Sequence, residues 1–100
     1  MEIIHSEKVP NGKLMKLILD CDLDVRFIEF IKITGDFFVH PEEGIHQIES
    51  LFKNLDFTFD ETQLTEKINK LIKEENIELI GITSESIVQG VKKAILNPEF

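Results

Sequence analysis

Ile33-Thr34-Gly35-Asp36-Phe37-Phe38-Val39-His40-Pro41-Glu42-Glu43 is the stretch on which the reading of this chain turns. A run of β-formers leads into it and a helical pattern leads out. Between the two stand a glycine, an aspartate and a pair of adjacent aromatics. Neighbouring side chains of an extended segment point to opposite faces, so Phe37 and Phe38 cannot both enter one core. One packs inward. The other needs a helix, a second layer or another molecule, or it stands exposed, as single aromatics in soluble proteins can.

Upstream, the sequence reads as three strands. Ile3 to Val9 is the first. Pro10-Asn11-Gly12 follows, with the fixed φ of proline and the positive φ that Asn-Gly tolerates, and predicts a hairpin. Lys13 to Asp20 returns. Met15, Leu17 and Leu19 share one face at period two, and Leu14, Lys16 and Ile18 share the other, which Lys16 marks as partly solvated. Cys21-Asp22-Leu23-Asp24 reads as the second turn, its aspartates bonding to nearby backbone NH groups. It lacks the glycine and the spaced carboxylates of a calcium loop. Val25 to Thr34 is the third strand. Its apolar parity changes between Phe30 and Ile31, so either both faces are buried or a bulge shifts the register. Short turns between the three make an antiparallel meander.

Downstream, the pattern turns helical. Pro41 suits a first helical position, with Glu42 and Glu43 at the positive end of the dipole. Ile45, Ile48, Leu51, Phe52 and Leu55 predict helix one over 41–54. Gly44 weakens it by ~1 kcal/mol against alanine, which close approach of another backbone would explain. Asn54 to Phe59 is a connection, with Phe57 and Phe59 on one side if extended. Asp60 and Gln63 resemble a capping box ahead of helix two, 61–75, with Leu64, Ile68, Leu71 and Ile72 inside. Its Lys70, Lys73, Glu74 and Glu75 read as a solvated face, and Asn76 as its terminator. Ile77 to Ile82 is a brief extended segment. Thr83 then caps helix three, whose inner stripe is Ile87, Val88, Val91, Ala94 and Ile95 and which Asn97-Pro98 ends. The expected fold is α+β, a three-stranded antiparallel sheet followed by three helices layered on one face, in a single domain over 1–100.

Composition narrows the function. A net charge of −8 opposes nucleic acid and anionic membrane surfaces, which both require clustered Lys and Arg. No apolar run reaches the ~18 residues of a membrane span, and Met1-Glu2-Ile3-Ile4-His5 has no signal-peptide character. The single cysteine forbids an internal disulfide and fits a cytoplasmic protein. Cys21 is flanked by Asp20, Asp22 and Asp24, which oppose a thiolate. His5, His40 and His46 lack the i, i+4 spacing of a helical metal site. Phosphate-loop, dinucleotide, zincin and nucleophile-elbow signatures are missing. The residues describe a compact module with no active site of its own, a binding or accessory part.

Lys8-Val9-Pro10-Asn11-Gly12-Lys13-Leu14, then Ile33-Thr34-Gly35-Asp36-Phe37-Phe38 followed by Pro41-Glu42-Glu43, and Ile80-Gly81-Ile82 ahead of the last helix, together resemble the accessory domain of lipoate–protein ligases. In that family the domain commonly follows a large catalytic domain. A chain that starts at Met1 resembles the split, archaeal-type form, in which a separate small subunit joins a catalytic subunit as a heterodimer. The resemblance implies a fold similar to that of sulfur-transfer and iron–sulfur scaffold proteins, the runner-up function, which this chain's one cysteine disfavours. A free-standing small-molecule or dimerisation module is the third reading.

The resemblance also implies ATP-dependent activation of lipoate to lipoyl-AMP, then transfer to a lysine of carrier domains in 2-oxoacid dehydrogenases or of the glycine cleavage H protein. ATP, magnesium and lipoate would act at the complex, with no catalytic, cofactor or metal residue in this chain. The expected partner interface comprises Lys8, Lys13, Gly35, Asp36, Phe37 and Phe38. Asp36 would bond partner NH groups or cap helix one. Lys8 or Lys13 would meet ATP phosphates, a partner carboxylate or only solvent.

Overall fold

Strict alternation builds the sheet. In the computed structural model, which describes residues 1–10 and 13–98, β1 (Glu2–Lys8) pairs antiparallel with β2 (Leu14–Asp22), and β2 with β3 (Phe27–Gly35). Met15, Leu17, Leu19 and Cys21 are buried on one face of β2, while Leu14, Lys16, Ile18 and Asp20 on the other are not. The Asn11-Gly12 turn lies outside the described residues. On either side of it Lys8 stands opposite Leu14, and the Val9 N–H donates to the Lys13 carbonyl at 2.8 Å.

The parity change in the third strand is a bulge. Asp20 pairs with Phe30 but Cys21 with Ile28, so Glu29 is the extra residue. Ile28 and Ile31 therefore both face the core, and Phe30 is left on the opposite face, 55% exposed. The preceding turn spans residues 23–26, two residues later than the sequence suggests, because Cys21 and Asp22 still pair with β3. The expected chemistry holds: Asp22 Oδ1 accepts from the N–H groups of Asp24 and Val25 at 2.9 and 3.1 Å. Arg26, at φ 62°, completes the reversal.

Helix one is shorter than its apolar spacing implies. α1 covers Gly44–Ser50, flanked by tight turns in which Gly44 N–H bonds Pro41 O and Phe52 N–H bonds Glu49 O. Pro41 therefore precedes the helix, Glu42 and Glu43 fall outside its first turn, and Glu43 stands at the N-cap with no side-chain bond. Gly44 does mark a close approach, but to side chains. A Cβ there would lie 2.9 Å from Ile77 Cγ2 and 3.2 Å from Val39 Cγ1. The Ile48 and Phe52 side chains are fully buried.

Two short pairings change the topology. The expected sheet of three strands has four, ordered β1-β2-β3-β5, because β5 (Leu55–Asp56) lies antiparallel along the start of β3. β4 (Phe38–His40) and β6 (Glu78–Ile80) form a separate ribbon. α2 (Glu61–Glu74) starts where Asp60 accepts from the Gln63 N–H at 2.9 Å. α3 (Ser84–Leu96) carries a reciprocal capping box: Thr83 Oγ1 accepts from Ser86 N–H and Ser86 Oγ from Thr83 N–H. Ile87, Val88, Val91, Ala94 and Ile95 are all buried as the stripe requires. α3 contacts β1 and β2, α1 contacts β3, and α2 packs on α3 and α1, so the helices stand over the buried face of the sheet, and among the described residues no helix covers the other. Among the described residues, no helix is long and apolar enough to cross a membrane.

Candidate partner-binding surface

The end of β3 is bent by Gly35. Its φ is +149°, and a Cβ there would overlap the carbonyl oxygen of Leu14. That same carbonyl accepts the Asp36 N–H at 2.9 Å. The chain thus stays bonded to β2 through Asp36 and then swings off the sheet into β4. Extended geometry sends the next two side chains opposite ways. Phe37 turns in, against Gly81 and the core, and Phe38 turns out, 73% exposed.

Gly81 makes the choice between the two aromatics. At φ +95° it has no side chain to fill the space where Phe37 Cβ and Lys13 Cγ approach, each 3.3 Å from where its own Cβ would sit. Lys13, Phe37 and Gly81 are therefore brought together. Directly across the ribbon from Phe38 stands Ile80, 50% exposed. Two large apolar side chains side by side on a two-stranded ribbon form an apolar ridge. Beside it lies an open depression of about 340 Å³ lined by Ile33, Thr34, Gly35, Phe37, Phe38, Val39, Glu42 and Ile45.

The remaining site residues fall around this ridge. Lys8 is exposed at the end of β1, opposite Leu14, one strand further from Asp36. Asp36 is exposed and does not cap α1, whose N-cap is Glu43. Ile80 was not among the sequence candidates; its only signal was its place ahead of Gly81, and pairing with Phe38 cannot be read from two segments forty residues apart. The wall of the depression is fixed by Glu49, whose Oε2 accepts the Ile33 N–H at 2.7 Å and ties α1 to the outer edge of β3.

Cys21 lies in β2, not in a turn, and is 1% exposed. Burial, with Asp20 and Glu29 nearby and the N-terminal amine opposing them, pushes its thiol from 9.0 up to about 11. His5 bonds Glu7 at 2.9 Å and His46 bonds Glu49 at 3.0 Å, each on a different element. Among the described residues, no three His, Cys, Asp or Glu side chains gather where a metal ion could sit. Burial raises the Glu7 carboxyl, but its bonds to His5 and Lys93 outweigh that and hold it below its ordinary value.

The raised thiol has a measurable consequence. The unfolded chain loses the Cys21 proton near pH 9 while the folded chain keeps it to about 11. Stability from this group is intact below pH 9 and falls as pH rises through that window. Urea midpoints of wild type and Cys21→Ala, taken at pH 8 and pH 10.5, should converge with rising pH by roughly 2 kcal/mol. A constant difference would place the thiol in a solvated setting.

Comparison with known proteins follows the same ground. No protein-family model matches the chain. Over 94 residues it is 30% identical to Lipoate-protein ligase A subunit 2 of Thermoplasma acidophilum, covering 89% of this chain and 92% of that protein. A solved chain from an archaeal lipoylation system, a bi-partite lipoate protein ligase studied with its E2 lipoyl domain from Thermoplasma acidophilum, superposes with a TM-score of 0.65. It is 23% identical, the match spans 91% of this chain and 97% of that one, and the likeness is one of fold.

Proposed function

The chain belongs to the lipoate–protein ligase A subunit 2 family, and from that membership we propose that it is the small, non-catalytic subunit of a two-part lipoate–protein ligase. Its partner is a catalytic subunit, with lipoyl carrier domains engaged through the complex. The carrying observation is the 30% identity spread over nearly the full length of both proteins. ATP and lipoate are substrates of the assembled enzyme, and magnesium acts with them there. In this reading the adenylating machinery lies on the catalytic subunit. A cytoplasmic location accompanies this reading.

The chemistry fixes what such a subunit must do. Activation joins the lipoate carboxylate to the α-phosphorus of ATP and expels pyrophosphate. Transfer joins the acyl carbon to a lysine amine and expels AMP. A subunit with no reactive group assists by binding the adenylating conformation of its partner more tightly than the others. Moving that partner from 1% to 99% competent requires about 5.5 kcal/mol of differential binding. Burying one phenylalanine supplies ~1.5–3 kcal/mol. Phe38 therefore serves as an anchor within a broader contact that also takes in Lys8, Lys13, Gly35, Asp36 and Phe37.

The test is lipoate- and ATP-dependent pyrophosphate release by each chain alone and by the mixture. Release should require both chains and saturate at one small subunit per catalytic subunit. Full activity of the catalytic subunit alone, unchanged on adding this chain, would overturn the assignment.

A further inference from the structure

The helix-free face of the sheet carries a charge pattern opposite to that of the whole molecule. Strand register sets it out in rows. Ile4, Ile18 and Lys32 form one row; Ser6, Lys16 and Thr34 the next; Lys8 and Leu14 the third. Lys32, Lys16 and Lys8 thus run diagonally across β3, β2 and β1, with about 8 Å between successive Cα atoms by strand spacing and rise. The chain's net charge is −8, yet this diagonal meets no carboxylate among the described residues. Lys92 and Lys93, by contrast, are engaged, by the carbonyls of Phe57 and Phe59 and by Glu7. The acids of β1 and β2 on the same face, Glu2, Asp20 and Asp22, lie at the far end, level with Phe30 and beyond it; Asp20 already holds the N-terminal amine at 3.2 Å and Asp22 accepts the N–H groups of its turn.

The lysines stand among apolar side chains that no helix covers. Leu14 is 40% exposed, and Ile4 and Ile18 are half-buried. This face is continuous with the Phe38 depression, because Thr34 lies in the row of Lys16 and also lines that depression. A body seated on Phe38 and Ile80 reaches Lys16 by crossing Thr34 and Gly35. A stable interface takes roughly 800 Å² from each partner, more than a ridge of two side chains offers.

We propose that this face is the second half of the catalytic-subunit interface, and that the Lys8–Lys16–Lys32 diagonal docks an acidic, apolar-centred surface of that subunit. The proposal rests on the accessory-subunit reading. It goes beyond that reading by extending the contact from the Phe38–Ile80 ridge over the helix-free face of β3 and β2 to β1, and by giving the partner's surface its charge. Opposed charges at a rim set association rate and salt dependence, while the apolar centre holds the complex.

The experiment measures the dissociation constant for the catalytic subunit by titration calorimetry between 50 and 500 mM NaCl. Wild type, the triple charge reversal (Lys8→Glu, Lys16→Glu, Lys32→Glu) and the triple neutral variant (all three to Gln) are compared. Wild-type binding should weaken with salt. The neutral variant should bind roughly tenfold more weakly at 50 mM and lose most of that salt dependence, and the reversal should bind at least ~30-fold more weakly. Circular dichroism of the glutamine variant controls for folding. Affinities within threefold of wild type overturn the proposal and leave the accessory role standing. Unchanged assembly with impaired transfer to the carrier domain also overturns it, giving the face to the carrier. Failure of wild type to bind the catalytic subunit at any salt concentration overturns the accessory reading itself.

Discussion

Gly35→Ala should lower the melting temperature by roughly 12–24 °C, followed by circular dichroism at 222 nm. Two strains coincide. The backbone sits at φ +149°, where an L side chain is disfavoured, and the new Cβ would overlap the Leu14 carbonyl oxygen, a main-chain atom with no rotamer to change. Relief requires parting β3 from β2 where Asp36 N–H bonds that carbonyl. Backbone strain with loss of a ladder bond is worth about 3 kcal/mol, and in a domain of this size each kcal/mol moves the midpoint by ~4–8 °C. Because the same bend starts the run into Phe37 and Phe38, any folded fraction of the variant should also bind the catalytic subunit weakly. A shift under ~5 °C would mean that the strand end yields easily and that the glycine serves something other than the bend.

The residues that could be read in advance are those whose signal is periodic. The alternation of Met15, Leu17 and Leu19 against Leu14, Lys16 and Ile18 is reproduced in burial, and the α3 stripe from Ile87 to Ile95 is buried throughout. The capping signals at Asp60 and Thr83 lie in three or four adjacent residues and both cap their helices, although the reciprocal box expected of Asp60 and Gln63 is only half made and a full one forms at Thr83 and Ser86. What could not be read depends on distant partners. β4, β5 and β6 span two or three residues each, too few for a period; the extended segment expected at Ile77 to Ile82 does hold β6, but the pairing of all three with segments far along the chain could not be read. α1 has its apolar spacing over the expected range, but tight turns occupy both ends.

The site shows the same division. Parity required one of Phe37 and Phe38 to face in and the other out. Which one is decided by Gly81, from the far strand of the ribbon, whose missing side chain makes room for Phe37. Gly44 announced a close approach but not that Ile77 makes it. A lysine diagonal across three strands is visible only once register is known, since Lys8, Lys16 and Lys32 have no shared spacing along the chain.

Phe38→Ala should separate assembly from folding. The side chain is 73% exposed, so its removal takes little from the core and the melting temperature should move by less than ~2 °C. Phe37→Ala, at the half-buried position against Gly81, should instead lower stability by about 1–3 kcal/mol. If Phe38 anchors the catalytic subunit, truncating it removes ~2 kcal/mol or more of binding, a weakening of about 30-fold or greater. Pyrophosphate release at limiting small subunit should fall in proportion. A large excess of the variant should restore the rate, because the lost contact is one of affinity and not of chemistry. Ile80→Ala, its neighbour across the ribbon, should have a smaller effect in the same direction, and the double variant less than the sum, since the two side chains share one apolar contact. Wild-type affinity in Phe38→Ala would remove the ridge from the interface and leave the helix-free sheet face as the surface to examine.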